Sequence, residues 1–325
     1  MILDNGPWAA ALTPAQYMLV SFFLTAATLA FLAGFIRTWM TQGEVGARYR
    51  TASVARLGGI GTAAASYGLM LAYFTFGYSF DGSAWMPTEL AVHSYSSRYI
   101  GWAVSVPLLA IELVAVCTIV GVAARTRRTL AFGGAFLMIF TGYIGAFMVG
   151  TTDVPAFIVW FGIASLFYVL TVLVLVTSVR RSLGSLTPET GALLVRASTL
   201  LLAGWAVYPL IAIIQLLPID GLWATTMQVA LCVADVGIKV GFGTLVHRVA
   251  KQRTAEDVRR GIDVHPESVW VSSVKLSDAG TPADVYLDEN ARVHDRREKP
   301  PTSVAIASDP DMSLPNDDMG QSILD

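Results

Sequence analysis

The sequence is poor in charged residues and in cysteine. Of its 325 residues only 14% are charged, while 54% are hydrophobic, whereas soluble domains carry about 25% charged residues. The two cysteines, Cys117 and Cys232, lie inside apolar runs, so no disulfide framework is indicated. These shortages exclude a soluble enzyme, a nucleic-acid binder and a disulfide-built secreted domain.

The few charges are distributed unevenly along the chain. Residues 1–253 contain 15 Lys and Arg against 9 Asp and Glu, whereas residues 254–325 contain 7 against 15. We therefore predict an apolar membrane domain over 1–253 and an acidic cytoplasmic tail over 254–325. The tail is expected to be disordered towards its end and to hold a short strand near 268–276. Trp270 in that stretch either docks onto the cytoplasmic face or belongs to a disordered segment.

Seven apolar runs are each long enough to cross a bilayer, which takes roughly 20 residues in a helix. Their predicted limits are 14–37, 55–78, 99–123, 129–150, 154–178, 191–216 and 222–247. Arg and Lys cluster after the first, third, fifth and seventh runs, and the positive-inside rule places those connections in the cytoplasm. The expected fold is an all-α, seven-transmembrane-helix bundle in the cell membrane, with the N-terminus outside and the C-terminus in the cytoplasm.

Ionisable residues inside the predicted spans mark a functional site, because a charge in hydrocarbon is costly. These residues are Arg56, Glu112, Asp235 and Lys239, with Arg98 at a boundary. Asp235 and Lys239 are four residues apart and share one helix face. They form either a plain intrahelical ion pair or a site at which a desolvated lysine binds a carbonyl compound as a Schiff base, with Asp235 as its counterion.

Two further spans carry patterned side chains. In the third span Gly101, Ser105 and Glu112 fall on one helix face and predict a polar stripe directed into the bundle. In the sixth span Trp205 and Tyr208 are three residues apart and face the same way. An aromatic pair with this spacing more often serves packing than ligand binding.

Taken together, three motifs resemble those of the microbial (type 1) rhodopsins. They are Arg98-Tyr99-x-x-Trp102-x-x-x-x-Pro107-Leu108-Leu109, Trp205-x-x-Tyr208-Pro209 and Asp235-x-x-x-Lys239-x-Gly241-Phe242-Gly243. The resemblance covers about residues 14–250 and implies all-trans retinal bound covalently to Lys239 as a protonated Schiff base. The positions it implies around retinal are Trp102, Ser105, Leu109, Met138, Gly142, Trp160, Trp205, Tyr208, Pro209 and the counterion Asp235. It further implies a homo-oligomer, a trimer or pentamer, in the lipid bilayer.

The sequence departs from this family at the position of the proton acceptor. The residue before the third-span Trp is usually a carboxylate in the family, but here it is Gly101, which cannot accept a proton. We expect a water molecule or a chloride ion in the vacated space, with Asp235 as the dominant counterion and Arg98 setting its charge. The extracellular glutamates that release protons in the best-known pump correspond to Leu217 and Met227, so a release path of that type is absent.

Arg56 in the second span, which shares a helix face with Tyr67, is a second departure. It is either a boundary arginine that snorkels to the cytoplasm or the partner of Glu112 in a buried ion pair. Such a pair would keep Glu112 ionised and leave it without a proton to donate. This combination resembles the actinobacterial cryorhodopsins, which are regarded as photosensory or photoswitching proteins with a slow photocycle, although Gly101 departs even from them.

The sequence thus predicts a retinal-binding light receptor or photoswitch with a slow photocycle, little or no net ion transport and an unidentified cytoplasmic transducer. The alternative is a light-driven proton pump that uses Asp235 and Glu112. A light-regulated enzyme is disfavoured, because a tail of 72 residues is too short for a cyclase or kinase domain. A chloride pump is disfavoured because Glu112 would repel the anion.

Overall fold

The computed structural model describes residues 6–149, 153–208 and 220–262, and this part of the chain contains seven α-helices of 18 residues or more. They are α1 (Pro14–Met40), α2 (Arg50–Phe76), α3 (His93–Ala115), α4 (Gly121–Tyr143), α5 (Val154–Leu183), α6 (Pro188–Trp205) and α7 (Gly221–Arg259). A π-helical segment (Ile144–Val149) continues α4. Six of these helices, all but α6, are long and apolar enough to cross a membrane.

The predicted seven-helix membrane fold is confirmed, but several predicted boundaries are wrong by eight residues or more. The fourth run begins at residue 129, whereas α4 begins at Gly121, and the seventh run ends at residue 247, whereas α7 ends at Arg259. The third apolar run extends to residue 123, whereas α3 ends at Ala115. The first residues beyond it, Val116 and Cys117, are buried, and the Val116 carbonyl accepts a hydrogen bond from Arg253 at 2.7 Å, while Thr118 N–H donates to Ser182 at 3.0 Å. The rest of the run, which includes the exposed Val120 and Val122, leads into α4 at Gly121. In the sixth predicted span, residues 209–216 lie outside the described residues.

Side-chain caps define where several helices begin, because the first N–H groups of a helix have no partner within it. Thr13 and Gln16 form a reciprocal capping box at the start of α1. Asp153, Thr187 and Asp220 each accept one backbone N–H at the starts of α5, α6 and α7. The caps fix the points at which the chain enters the bundle.

The connection between α2 and α3 contains a β-hairpin that the sequence analysis did not anticipate. Its strands are β1 (Tyr78–Phe80) and β2 (Trp85–Pro87), paired antiparallel. In the turn, Asp81 Oδ1 accepts the Ala84 N–H at 2.8 Å, and Gly82 has a φ of 103°, which favours glycine. These backbone hydrogen bonds lower the pKa of the exposed Asp81 carboxyl.

Helix α7 continues past residue 253, and its last turns form hydrogen bonds with the connections at that end of the bundle. The Asp257 carboxylate accepts the Tyr49 hydroxyl at 2.6 Å, and Glu256 accepts the Thr187 hydroxyl at 2.7 Å. The first residues after 253 are therefore an ordered part of the helical domain. The predicted strand near 268–276 and the rest of the acidic tail lie outside the described residues.

Helix α3 is the most deeply buried of the candidate spans. The polar stripe predicted on it does face the interior, since Ser105 and Glu112 are at most 1% exposed. Arg98 is also buried, at 2% exposure. Its predicted position at a boundary is wrong, because α3 begins five residues earlier, at His93. Polar and charged groups are thereby brought into the centre of an apolar bundle.

Candidate functional site

Asp235 on α7 is the centre of a buried hydrogen-bond network and has no exposed surface. Its Oδ2 accepts the Tyr67 hydroxyl at 2.7 Å and Trp102 Nε1 at 3.0 Å. Its Oδ1 accepts the Tyr208 hydroxyl at 2.5 Å and Trp102 Nε1 at 3.1 Å. Donors from α2, α3 and the residues that follow α6 therefore converge on one carboxylate. They stabilise it in its ionised form.

Two buried cations flank this carboxylate. Lys239 Nζ lies 3.6 Å from Asp235 Oδ1, as the spacing of four residues predicts, and Arg98 Nη1 lies 3.6 Å from Oδ2. Arg98 also donates to the Tyr67 hydroxyl at 2.7 Å and to Gln228 Oε1 at 2.6 Å. In the described part of the chain, no second carboxylate lies within 4 Å of either cation. Two positive charges consequently share one negative charge.

The space beside Gly101 is filled by a neighbouring helix. A Cβ placed on Gly101 would overlap both Oγ and Cβ of Ser66 on α2, whose hydroxyl donates to the Ser97 carbonyl at 2.8 Å. Ser66 therefore occupies the Cβ position, and the water molecule or chloride ion expected near Gly101 stays a prediction for the space beyond it. Because the Ser66 Cβ is fixed to the backbone, any side chain at residue 101 requires α2 and α3 to move apart.

A cavity of about 100 Å³ adjoins Trp102 and Tyr208, two of the residues that hold Asp235. Its walls are formed by Tyr99, Trp102, Val106, Met138, Ile139, Gly142, Phe161, Ala164, Ser165, Tyr168, Trp205 and Tyr208. Five of the residues predicted around retinal are thus brought together: Trp102, Met138, Gly142, Trp205 and Tyr208. The wall is mainly aromatic and aliphatic, which suits a flat, unsaturated hydrocarbon.

Three of the other residues predicted around retinal, Trp160, Ser105 and Leu109, lie outside this wall. Trp160 is not part of the cavity wall and packs near Gly145, where an added Cβ would lie 3.1 Å from the Trp160 Cβ. Helix α5 instead contributes Phe161, Ala164, Ser165 and Tyr168, whose spacing of three, four and seven residues marks one helix face. Ser105 and Leu109 are buried in α3 outside the wall. Pro209 lies outside the described residues.

Arg56 is buried, at 5% exposure, so a snorkelling boundary arginine is excluded. Its guanidinium donates to the Gly243 carbonyl at 3.0 Å and to His247 Nδ1 at 3.2 Å. The predicted buried pair with Glu112 is not a direct salt bridge, since no contact within 4 Å joins the charged groups of these two described residues. They are neighbours across Gly243, where an added Cβ would lie 2.9 Å from Arg56 Cδ and 3.7 Å from Glu112 Oε1.

The sequence analysis did not identify His247, which binds Arg56, or Glu44, which binds His247 in turn. His247 Nε2 lies 3.0 Å from Glu44 Oε2, and Lys251 Nζ donates to the same oxygen at 2.7 Å. Burial raises the pKa of the Glu44 carboxyl, but the hydrogen bonds from Lys251 and His247 lower it by more, so it lies below its usual value. A signal was present, because His247 follows Lys239 by eight residues and shares its helix face.

Comparisons with known proteins identify the family of the chain. Residues 18–253 match the sequence model of the family described as bacteriorhodopsin-like protein. The chain is 29% identical over 153 residues to the bacteriorhodopsin-II-like protein of Haloquadratum walsbyi, a match that covers 47% of this chain and 60% of that protein. It is 25% identical over 241 residues to the blue-light absorbing proteorhodopsin of Gamma-proteobacterium Hot 75m4, which covers 73% and 87% of the two chains.

Solved structures share the fold. Xanthorhodopsin, described as a light-driven ion pump with dual chromophore, superimposes with a TM-score of 0.72 and 25% identity, over 77% of this chain and 99% of that one. A thermophilic rhodopsin superimposes with a TM-score of 0.70 and 22% identity, over 76% and 98%. Proteins of this family are light-driven pumps or sensors that cross the membrane several times, and they are not enzymes. The buried lysine and aspartate, the aromatic cavity and these matches together place the chain in the bacteriorhodopsin-like family of microbial rhodopsins.

Proposed function

We propose that this protein is a light receptor or photoswitch that binds retinal, returns slowly to its dark state and moves little or no net ion. The observation that carries the proposal is the single carboxylate beside Lys239 in the described structure, together with the Ser66 side chain packed against Gly101. An outward proton pump needs a group that takes a proton from the Lys239 nitrogen and later releases it. The residues around Lys239 are poorly suited to that task.

All-trans retinal, bound covalently to Lys239, supplies the light absorption and the bond rotation in this proposal. The residues present suit it, because Lys239 is buried beside a carboxylate and the cavity next to Trp102 is walled by aromatic and aliphatic groups. Trp102 and Trp205 would hold the polyene, and Met138 and Gly142 would border its ring. Aromatic side chains packed against a conjugated chain restrict which bond can rotate.

Asp235 is a weak proton acceptor in this setting. Its two oxygens already accept bonds from Tyr67, Trp102 and Tyr208, and Arg98 lies 3.6 Å away. A hydrogen bond to a charged group contributes about 1.5–3 kcal/mol, and a proton on the carboxylate would weaken several of these bonds at once. Asp235 therefore serves as a fixed counterion.

Since Asp235 does not take the proton of the Lys239 nitrogen, in this proposal that proton leaves towards Glu112 in the lit state and has to return from the same side of the bundle. Arg56 carries a permanent positive charge and lies between Glu112 and the pair formed by Glu44 and His247. A proton that moves inward past a fixed cation in a medium of low dielectric constant meets strong repulsion. The return to the dark state is slow for this reason. A long-lived lit state suits a receptor and handicaps a pump.

A light-driven proton pump that uses Asp235 and Glu112 is the second candidate. Glu112 favours it, because this carboxyl is buried, at 1% exposure, and its Oε2 has no hydrogen-bond partner in the described part of the protein. A carboxyl in that situation can hold a proton and donate it. The similarity to xanthorhodopsin, described as a light-driven ion pump, favours the same reading.

Three further features belong to the proposal. The distribution of Arg and Lys supports an N-terminus outside and a C-terminus in the cytoplasm. A cytoplasmic transducer would read the lit state, and the α7 turns beyond residue 253, which bind Tyr49 and Thr187, are suited to carry the signal. Resemblance to the family supports a trimer or pentamer.

Light-induced pH change in cells supplied with retinal separates the two candidates. The receptor predicts no sustained pH change in the medium during illumination, with or without a protonophore. Lys239→Ala is the matched control, because it removes the attachment point and leaves the protein in the membrane. A sustained acidification that the protonophore abolishes, and that the Lys239→Ala protein lacks, would establish the pump.

A further inference from the structure

A continuous hydrogen-bonded chain runs from a partly exposed carboxylate to the buried Arg56. Glu44 Oε2 lies 3.0 Å from His247 Nε2, and His247 Nδ1 lies 3.2 Å from Arg56 Nη2. A guanidinium can only donate, so Nδ1 has to accept, and the imidazole proton is therefore on Nε2, directed at the carboxylate. In this arrangement His247 is neutral, and both of its nitrogens are in use.

Charged residues from several helices lie around His247. Lys251 on its own helix also binds Glu44, and Arg37 at the end of α1 lines the same small cavity as His247 and Arg56. That cavity has a volume of about 20 Å³, enough for one water molecule, which needs about 10–15 Å³. Glu112 on α3 lies across Gly243 from Arg56.

We propose that His247 is a proton-operated latch on Arg56, so that a proton taken up by His247 releases the guanidinium and shortens the lifetime of the lit state. This inference rests on the proposed receptor function, because it assigns a controlling residue to the slow return. It makes the lifetime of the lit state depend on the pH at this end of the bundle. His247 acts through Arg56 and is a positioning residue.

The proton balance follows from the two ring nitrogens. A proton from solvent binds the Nδ1 lone pair, and this breaks the bond in which Arg56 was the donor. The imidazolium then presents N–H groups on both sides, so its inner N–H and the guanidinium are two donors of the same charge face to face. Arg56 has to move, and the proton on Nδ1 is free to pass inward towards Glu112. Once it has left, neutral His247 accepts Arg56 again.

The test is the rate of return to the dark state after a flash, measured on the full-length pigment in lipid vesicles across a pH series. For the parent protein we expect the rate to rise in a single saturating step as the pH falls. His247→Gln keeps an acceptor for Arg56 and a donor for Glu44 but cannot bind a proton, so it should stay slow and lose the step. His247→Ala removes the latch, so it should lack the step but return at least about tenfold faster than His247→Gln, as expected for the loss of one hydrogen bond to a charged group.

Both substitutions abolish the pH step, but only His247→Ala speeds the return, a difference that a merely structural role would not produce. His93→Gln is the matched control, since His93 opens α3 and packs against Tyr73, away from Arg56, and it should behave like the parent. A pH step retained in His247→Gln, or a His247→Ala protein as slow as His247→Gln, would overturn the latch.

Glu44→Gln is a second test, for use if His247→Ala forms no pigment. Glu44 is the anion that binds His247, so its loss should move the pH step to lower pH. A step at the same pH as in the parent would overturn the latch. Sustained light-driven transport would overturn the proposed receptor function and leave the outcome of this test unaffected.

Discussion

Ser66 on α2 fills the space into which any side chain on Gly101 of α3 would project. The absence of a carboxylate at residue 101 and the close approach of α2 and α3 are therefore one structural feature. The Ser66 hydroxyl is committed to the Ser97 carbonyl at 2.8 Å, which holds the serine in place. Restoring an acceptor at residue 101 thus requires two changes, one on each helix.

The first prediction concerns this pair of residues. Gly101→Asp alone should fold poorly, because overpacking a tight helix contact costs about 1–3 kcal/mol. Gly101→Asp combined with Ser66→Gly should fold and absorb at shorter wavelength than the parent, since a second carboxylate stabilises the positive charge near Lys239 in the ground state. Ser66→Gly alone is the control for packing. Visible spectra of the four proteins decide the matter, and a double variant with an unshifted or red-shifted band would contradict the account.

The second prediction is that Lys239→Ala abolishes the visible band. Lys239 is the buried lysine beside Asp235, so the variant has no amine there to bind retinal. Lys251→Ala is the matched control, because Lys251 binds Glu44 at the end of the same helix and should be dispensable for colour. Absorption of the purified proteins after addition of retinal provides the measurement. A coloured Lys239→Ala protein would remove the basis of the whole functional proposal.

A third prediction follows from the network around Asp235. Asp235→Asn removes the anion that Lys239 and Arg98 share, and its amide offers one acceptor oxygen to the donors from Tyr67, Trp102 and Tyr208. Removing one partner from a buried charge pair costs about 3–5 kcal/mol. The pigment should bleach or shift strongly at neutral pH, as a spectral pH titration would record. Unchanged titration would mean that a bound anion is the counterion, and added chloride would then alter the curve.

The fourth prediction is that Arg56 sets the lifetime of the lit state. Arg56→Ala removes the fixed cation between Glu112 and His247, so return to the dark state after a flash should be at least about tenfold faster, as for the loss of a charged hydrogen-bond partner. Glu112→Gln should not speed the return, because the cation remains. Arg125→Ala, which changes an exposed arginine, is the control. An Arg56→Ala protein no faster than the parent would leave the pump interpretation standing.

The sequence predicts the fold and the centre of the site well, because the signals involved are local. Apolar runs of membrane-spanning length specify the helices, and a spacing of four residues specifies the contact between Asp235 and Lys239. The predicted helix ends are wrong where an apolar run continues beyond the last residue of the helix. The apolar run after α3 is the example, since it continues beyond Ala115 through Val116 and Cys117, which are buried in a connection and of which Val116 binds Arg253.

Contacts between distant segments are the part that the sequence could not supply. A buried pair of Arg56 with Glu112 was one of two interpretations of the sequence, whereas the guanidinium in fact binds His247, 191 residues further along the chain. The position of Ser66 against Gly101 depends on how closely α2 and α3 approach, which spacing within either helix does not encode. Phe161, by contrast, could have been found from its spacing on α5.

The central claim is that light displaces charge within this protein without carrying it across the membrane. The most direct measurement is the photocurrent of the parent protein, reconstituted in a planar bilayer, during continuous illumination at zero voltage. The account predicts a transient current when the light is switched on, an opposite transient when it is switched off, and no stationary current between them. A stationary outward current that persists for as long as the light is on would contradict it.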